Sequence, residues 1–163
     1  MSRPTFPPVR RVVTGHDEKG SAIIKWDDLI VTKPHEGAAF VAALWSSSEA
    51  PADVSSRDDQ ALAETGLVNN GSIFRLVDFP PRTHGIVHRS ISLDYVLVLK
   101  GSITLTLDAG LKTELKEGNV VVQQATMHGW DNETDEWTRL VVVLLPARPP
   151  VIDGKELSSD VPF

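Results

Sequence analysis

The fold is decided by the stretch Pro80-Pro81-Arg82-Thr83-His84-Gly85-Ile86-Val87-His88-Arg89-Ser90-Ile91-Ser92-Leu93-Asp94-Tyr95, which continues through an apolar run to Gly101. A second part follows after a hairpin and reads Gly118-Asn119-Val120-Val121-Val122-Gln123-Gln124-Ala125-Thr126-Met127-His128-Gly129-Trp130-Asp131-Asn132. Alternate residues of a strand face the same side. Each part therefore gathers polar residues on one face: His88, Ser90, Ser92 and Asp94 in the first, and His128, Trp130 and Asn132 in the second. Two strands whose polar faces converge inside an otherwise apolar sheet predict a functional site.

The composition excludes several classes of protein. The chain has 163 residues, which suits one domain with a core of its own. A net charge of -6 argues against nucleic acid or an anionic membrane as partner. There is no cysteine, so disulfides, thiolate catalysis and cysteine-zinc sites are excluded. No apolar run resembles a signal segment or a membrane span, and we expect a cytoplasmic protein.

Short strands at even spacing dominate the rest of the chain, with almost no helical pattern. Turn residues separate strands predicted at 10–14, 21–26, 38–45, 72–79, 93–99, 103–107, 113–115, 119–124 and 137–145. This arrangement predicts an all-β sandwich or barrel. The first two strands flank Gly15-His16-Asp17-Glu18-Lys19-Gly20 and form a predicted hairpin.

The chain divides into four predicted parts of a single domain. Residues 1–45 are an N-terminal arm and strands, with a loose proline-containing segment at 1–8. Residues 46–71 form a long acidic surface loop or a lid, and 72–145 form the barrel core. Residues 146–163 form a proline-rich tail that wraps the outside, since its prolines cannot continue a central strand.

Several strands are apolar on both faces. In the strand at 93–99, Tyr95 and Leu97 lie on one face while Val96 and Val98 lie on the other. A strand buried on both faces needs cover outside as well as a core inside. A second subunit or the N-terminal hairpin can supply it, and we predict a homodimer.

The two polar stretches resemble the two sequence motifs of the cupin superfamily. On the first motif, G-x5-H-x-H-x3,4-E-x6-G, the matching positions are His88, Ser90, Asp94 and Gly101, with Arg82 in place of the opening glycine. On the second motif, G-x5-P-x-G-x2-H-x3-N, they are Gly118, His128 and Asn132, with Gln123 and Ala125 where proline and glycine usually stand. The resemblance implies a double-stranded β-helix, also called a jelly-roll or cupin barrel.

Further stretches resemble one subgroup of small single-domain cupins of bacteria and fungi. They are residues 10–17, Leu44-Trp45, and the sequences around His88 and His128. Fungal members often accompany polyketide pathways. The resemblance therefore implies secondary metabolism and a small-molecule substrate, but not one reaction, because cupins span many activities.

Metal-binding cupins use three histidines and a glutamate. In this chain Ser90 replaces one histidine and Asp94 is a shorter carboxylate in place of the glutamate, which leaves His88, Asp94 and His128. Two imidazoles and one carboxylate suit one divalent Fe, Mn, Ni or Zn ion with open positions for substrate. The alternative is a site without metal. His84 is a candidate replacement ligand from the preceding loop.

Without a metal, the same three residues suit acid–base catalysis, because burial tunes the pKa values of a carboxylate and imidazoles. Ser90, Gln123, Trp130 and Asn132 are the candidate substrate-binding residues: Trp130 as an aromatic wall, and Gln123 by strand parity.

The favoured prediction is dehydration or isomerisation of an apolar oxygenated substrate, such as a polyketide intermediate, by His88, Asp94 and His128. One alternative is a metal-dependent oxidoreductase that uses these residues as ligands. The other is a cupin that binds a small molecule without catalysis.

Overall fold

The computed structural model describes residues 4–35, 38–63 and 65–162. Strands make up 53% of the described residues and helix 4%, which confirms the all-β class. The strands are β1 Val9–His16, β2 Ala22–Ile30, β3 Lys33–Pro34, β4 Phe40–Ser47, β5 Ser72–Phe79, β6 Ser92–Lys100, β7 Ser102–Leu107, β8 Lys112–Lys116, β9 Val120–Gln124, β10 His128–Asp131, β11 Thr138–Pro146, β12 Val151–Ile152 and β13 Lys155–Glu156. Short 3-10 helices lie at Gln60–Leu62 and Asp108–Gly110.

Two sheets enclose the core. The larger has six strands in the order β3-β4-β5-β11-β6-β9, and the smaller has three in the order β10-β7-β8. Their neighbouring strands are antiparallel throughout. The inner faces meet in one apolar cluster: Ile73, Val77, Phe79, Val96, Val98, Ile103, Leu105, Trp130, Leu140, Val142 and Leu144. Burying these side chains is the main stabilising contribution to such a fold.

Burial along β6 of the large sheet alternates from residue to residue. Along β6, Ser92, Asp94, Val96 and Val98 are buried, whereas Tyr95 between them is exposed. The same parity that sends valines into the core therefore sends a serine and an aspartate into it. The two polar residues lie at the beginning of the strand, where the apolar core gives way to a cavity.

The N-terminal hairpin is present as predicted, with β1 and β2 antiparallel. The segment before it is not loose, which corrects the sequence-based expectation for the part of residues 1–8 that is described. Arg139 donates from Nη1 to the Pro7 carbonyl at 3.0 Å, and its guanidinium lies 4.9 Å from the Phe6 ring centre. Arg139 itself is fixed by two hydrogen bonds to the fully buried Asp78, of 2.6 and 2.7 Å. Residues 1–3 lie outside the described residues.

The segment 46–71 is mostly irregular, as the acidic composition predicts, with one turn of 3-10 helix at Gln60–Leu62. Asp59 accepts a hydrogen bond from the Ala61 amide and caps that turn. Glu64, in the acidic stretch, lies outside the described residues. None of the helices described is long and apolar enough to cross a membrane.

Candidate active site

A cavity of about 120 Å³ opens between the inner faces of the two sheets. Its lining is mainly apolar: Ala39, Val41, Leu67, Val77, Phe79, Ile86, Val96, Trp130, Leu140, Val142 and Leu144. The polar side chains that reach it are His35, Arg75, His88, Ser90, Asp94 and His128. Polar groups concentrated within an apolar cavity are the usual form of a small-molecule site.

The backbone brings the two motif histidines together. His88 and His128 exchange both amide-to-carbonyl hydrogen bonds, each of 2.9 Å, in an isolated antiparallel bridge. Their ring centres are 4.6 Å apart, and the rings are tilted by 50°. Because two backbone hydrogen bonds fix this pairing, the relative position of the imidazoles does not depend on their rotamers alone.

The hydrogen bond at Nδ1 assigns the tautomer of His88. Nδ1 lies 2.9 Å from the Ile86 carbonyl oxygen. A carbonyl only accepts, so in the neutral ring the proton is on Nδ1 and the lone pair is on Nε2. His88 is therefore oriented as a base through Nε2.

His128 has the opposite tautomer because of Gln123. The Gln123 amide is oriented by Thr126, whose hydroxyl donates to Oε1 at 2.9 Å and whose carbonyl accepts from Nε2 at 2.9 Å. Nδ1 of His128 has two polar neighbours: Nε2 of Gln123 at 2.8 Å, which can only donate, and the Thr126 carbonyl oxygen at 3.0 Å, which can only accept. We assign Nδ1 as the acceptor because the contact with Gln123 is the shorter of the two. In the neutral ring the proton is then on Nε2. Burial, together with the nearby His88 ring, lowers the pKa of His128 to about 4, against the Thr126 backbone contact, which raises it.

Asp94 is a buried carboxyl group with one oxygen unpaired. The side chain is 4% exposed, and Oδ1 has no hydrogen-bond partner among the described residues. Burial raises the pKa of Asp94, although the Ser92 hydroxyl and the charges of Arg75 and His88 act to lower it. The Ser90 and Ser92 hydroxyls lie 2.9 Å apart, so a hydroxyl chain leads to the carboxyl group. A carboxyl group with a raised pKa is suited to donate a proton.

Arg75 is a cavity residue that the sequence analysis did not identify. It lies on β5 with Val77 and Phe79 on the face that lines the cavity, and its Nε is buried without a hydrogen-bond partner. Burial lowers the pKa of Arg75, whereas the charge of Asp94 raises it. The sequence does indicate this position, because Arg75 lies on the same strand face as Ile73, Val77 and Phe79.

The candidate accessory residues divide into two groups. Ser90 and Trp130 line the cavity, and Trp130 packs edge-on to His128 with ring centres 5.9 Å apart. Gln123 is not among the lining residues; it reaches the site through His128. Asn132 is also absent from the lining, and its predicted contact with substrate stays a prediction. Its amide donates to the carbonyls of Phe79, Pro80 and Glu136 and holds the loop after β10.

The loop between β5 and β6 passes very close to β10. A Cβ built on Gly85 would lie 2.4 Å from the Trp130 carbonyl oxygen, so only glycine fits there. The neighbouring His84 side chain is 80% exposed and lies 3.4 Å from Asp131. His84 therefore points to the surface and does not join His88 and His128 as a replacement ligand.

Comparison with known proteins identifies the family. No protein-family model matches the chain. A cupin-domain-containing oxidoreductase of Aspergillus ruber is 33% identical over 162 residues, which cover 93% of this chain and 79% of the relative. The chain belongs to the cupin family.

Two further comparisons agree with this assignment. The cupin is 32% identical over 166 residues to phomopsin biosynthesis cluster protein D of Diaporthe leptostromiformis, covering 96% of this chain and 88% of the relative. A Klebsiella pneumoniae protein with a double-stranded β-helix domain superposes with a TM-score of 0.52, at 17% identity, over 72% of this chain and 84% of that one. The second comparison supports the predicted double-stranded β-helix.

The predicted ligands His88, Asp94 and His128 do not form a metal centre in the conformation of this structure. Within the described residues, no three His, Asp or Glu side chains are positioned together to hold a metal ion. The assignment of His88, Asp94 and His128 as metal ligands stays a prediction.

Proposed function

We propose that this cupin is an enzyme of secondary metabolism that dehydrates or isomerises an apolar oxygenated substrate within its cavity. The observation that carries the proposal is the trio of His88, Asp94 and His128 on one apolar cavity, with complementary proton positions. The Diaporthe relative's name places that protein in a biosynthesis cluster, which supports a role in secondary metabolism.

In a dehydration, Nε2 of His88 removes a proton from the carbon next to a carbonyl group. The electrons of that C–H bond form the new double bond, and the C–O bond to the leaving hydroxyl breaks. Asp94 donates its proton to that hydroxyl, which leaves as water. Nε2–H of His128 donates a hydrogen bond to the carbonyl oxygen as negative charge develops on it. Return of the proton from His88 to Asp94 through solvent completes the cycle.

An isomerisation uses the same first step. His88 removes the proton, and Asp94 donates its own proton to a different carbon so that the double bond moves. The proton on His88 then returns to Asp94 through solvent. The leaving group is then not required, and Asp94 serves as the donor to the second carbon. The two reactions differ only in where the second proton goes, and both need His88 as a base and Asp94 in its protonated form.

The test is turnover of a cyclic β-hydroxy ketone, followed by the ultraviolet absorbance of the conjugated enone. We expect Asp94→Asn and His88→Gln each to lower kcat by about 100-fold or more, the usual contribution of an acid or base. His16→Gln is the matched control, because His16 lies exposed in the hairpin. Unchanged rates in both cavity variants would refute the proposal. An Asp94→Asn protein that keeps its biological role while binding ligand would indicate a non-catalytic cupin.

A metal-dependent oxidoreductase is the second candidate, since the Aspergillus relative is named an oxidoreductase. Its test is elemental analysis of protein purified without chelator. One equivalent of a transition metal in the wild type, lost in His128→Ala, would favour this candidate. Metal far below one equivalent, together with turnover of the hydroxy ketone, would leave the acid–base reaction as the better assignment.

A further inference from the structure

We propose that Arg75 and Asp94 together select the substrate: Arg75 binds a carbonyl oxygen, and Asp94 binds a hydroxyl group two carbons away. The substrate class is then a β-hydroxy carbonyl compound with a reacting part about the size of one six-membered ring. The inference rests on the proposed function for the bond that breaks, but the binding it describes is measurable without turnover.

The first support is a pair of buried polar atoms without partners. Among the described residues, Nε of Arg75 and Oδ1 of Asp94 both lack a hydrogen bond. Leaving such atoms unpaired in a protein interior costs about 1–3 kcal/mol each, and more for charged groups. The two do not satisfy each other, although their charges interact. Both side chains line the cavity, so a ligand that accepts from the guanidinium and donates to the carboxylate offsets these costs.

The chemistry of the two groups determines what such a ligand carries. A guanidinium has only donors, so its partner is an oxygen acceptor. The ionised carboxylate accepts, and the protonated carboxyl group also offers one donor, so a hydroxyl group pairs with either form. The ligand therefore carries an acceptor and a hydroxyl group on neighbouring parts of one molecule.

The strand register sets the arrangement of the two groups. Arg75 on β5 pairs with Val142 on β11, and Asp94 on β6 pairs with Leu144 on the same strand. Val142 and Leu144 are adjacent on the inner face of β11, so Arg75 and Asp94 approach the cavity from opposite sides of one strand. A ligand between them lies over β11 and meets both side chains at once.

The size of the cavity limits the part of the substrate that enters. Its volume is about 120 Å³. An apolar protein cavity of about 150 Å³ accommodates benzene, whereas sites for drug-sized ligands reach about 300–1,000 Å³. A single ring with its oxygen substituents is therefore the largest group that the closed part of the cavity accepts.

The binding test compares two isomers by isothermal titration calorimetry, 3-hydroxycyclohexanone and 4-hydroxycyclohexanone. They have the same atoms, and only the first carries its hydroxyl two carbons from the carbonyl carbon. We expect wild-type protein to bind the 3-hydroxy isomer at least 10-fold more tightly. Equal affinities, or no binding of either isomer, would overturn the inference without any variant.

Arg75→Met supplies the second arm, with Arg75→Lys as the variant that retains the charge. Hydrogen bonds to charged groups contribute about 1.5–3 kcal/mol, so Arg75→Met should lose roughly 10-fold or more in affinity for the 3-hydroxy isomer. Its affinity for cyclohexanol, which has no carbonyl, should stay unchanged. Thermal unfolding checks that both variants fold. A parallel loss for both ligands would indicate a structural role and refute the assignment of Arg75.

The two proposals fail separately. Wild-type protein that selects the 3-hydroxy isomer through Arg75 but never converts it would refute the dehydration and keep the binding assignment. Wild-type protein that converts the hydroxy ketone, with an Arg75→Met variant of unchanged KM, would keep the proposed function and refute the role of Arg75.

Discussion

His128 is a buried histidine that the fold keeps neutral, and this has a consequence for stability against acid. In the unfolded chain it is protonated below pH 6.5, whereas burial lowers the pKa in the folded protein to about 4. Between these two pKa values, His128 is protonated in the unfolded state and neutral in the folded state. As the pH falls from 6.5 towards 4, each pH unit costs about 1.4 kcal/mol, so the protein loses roughly 3 kcal/mol of folding stability from this residue.

The measurement is the free energy of unfolding by urea at a series of pH values. His128→Gln should reduce the slope against pH between 4 and 6.5, because glutamine takes up no proton. His16→Gln, a change at an exposed histidine, should keep the wild-type slope. A His128→Gln slope that matches the wild type would show that His128 is protonated in the folded protein.

Gln123 sets the proton position on His128, and removing it should reverse the tautomer. In Gln123→Leu no amide donates to Nδ1, while the Thr126 carbonyl remains 3.0 Å away as an acceptor. Nδ1 then takes the proton, and Nε2 becomes the basic nitrogen. The ¹⁵N chemical shifts of the two ring nitrogens measure this exchange directly. Identical shifts in wild type and variant would contradict the assignment, and Gln124→Leu on the same strand is the control.

Strand parity explains which site residues were predictable from the sequence. His88, Ser90, Asp94, His128 and Trp130 were predicted for the site, and all of them line the cavity. Asn132 follows the end of β10 at Asp131, and its amide is bonded to backbone carbonyls. Arg75 was not predicted as a cavity residue, because a single arginine among apolar strand residues belongs to no motif and only its strand parity indicates the site. The hydrogen bonds of Gln123 depend on the path of the chain at Ala125, which has a positive φ of 50°.

At the scale of elements, Arg11 on β1 joins the N-terminal hairpin to the segment 46–71. Its buried guanidinium bonds Asp28 on β2 at 2.6 and 2.9 Å, and Asp59 at 2.7 and 2.8 Å. It also donates to the Leu44 carbonyl on β4. The hydrogen bonds from Arg11 to Asp59 lower the pKa of Asp59. The acidic segment is therefore tied to the fold at Asp59, and Leu67 further along it reaches the cavity lining.

Arg11 and its neighbour Arg10 form a matched pair for testing this connection. Arg11→Met removes the partner of two carboxylates and should cost about 2 kcal/mol, towards the low end for buried pairs because Asp28 is partly exposed. Arg10→Met breaks only the exposed pair with Asp27 and should leave the unfolding midpoint unchanged. Amide hydrogen exchange at Ala61 and Leu62 should accelerate in Arg11→Met alone. Equal effects of both variants would argue against a tie at Asp59.

The order and spacing of the main strands followed from turn residues and alternation, and Ser72–Phe79 was predicted to the residue. The two-residue strands β3, β12 and β13 were not predicted, because so short a pairing has no period to detect. The packed N-terminal segment was also missed. Its order comes from the Asp78–Arg139 pair, which unites strands distant in sequence, and no local pattern encodes that contact.

At the scale of the whole molecule, the described residues cover the outer face of the large sheet near β4 and leave apolar side chains exposed on β6 and β9. The hairpin reaches it near β4, where Trp26 and Trp45 have ring centres 5.8 Å apart. On β6 and β9, Tyr95 is 47% exposed, Val120 70% and Val122 58%. Tyr95 and Val122 are direct cross-strand partners, so the apolar side chains form one continuous patch. The hairpin therefore covers part of the outer face of the large sheet. That a second copy of the chain covers the part on β6 and β9 stays a prediction.

We predict that two copies of the chain pair through this patch of Tyr95, Val120 and Val122. Light scattering coupled to size exclusion should give twice the chain mass of 17.8 kDa. Val122→Asp places a charge in the middle of the patch, where burial against a second copy would require its desolvation, and should give the monomer. Val54→Asp is the control, since Val54 is 86% exposed on the segment 46–71 and away from the patch. A wild-type protein that elutes with the mass of one chain would contradict the homodimer. A dimer that survives Val122→Asp would instead place the contact on another face.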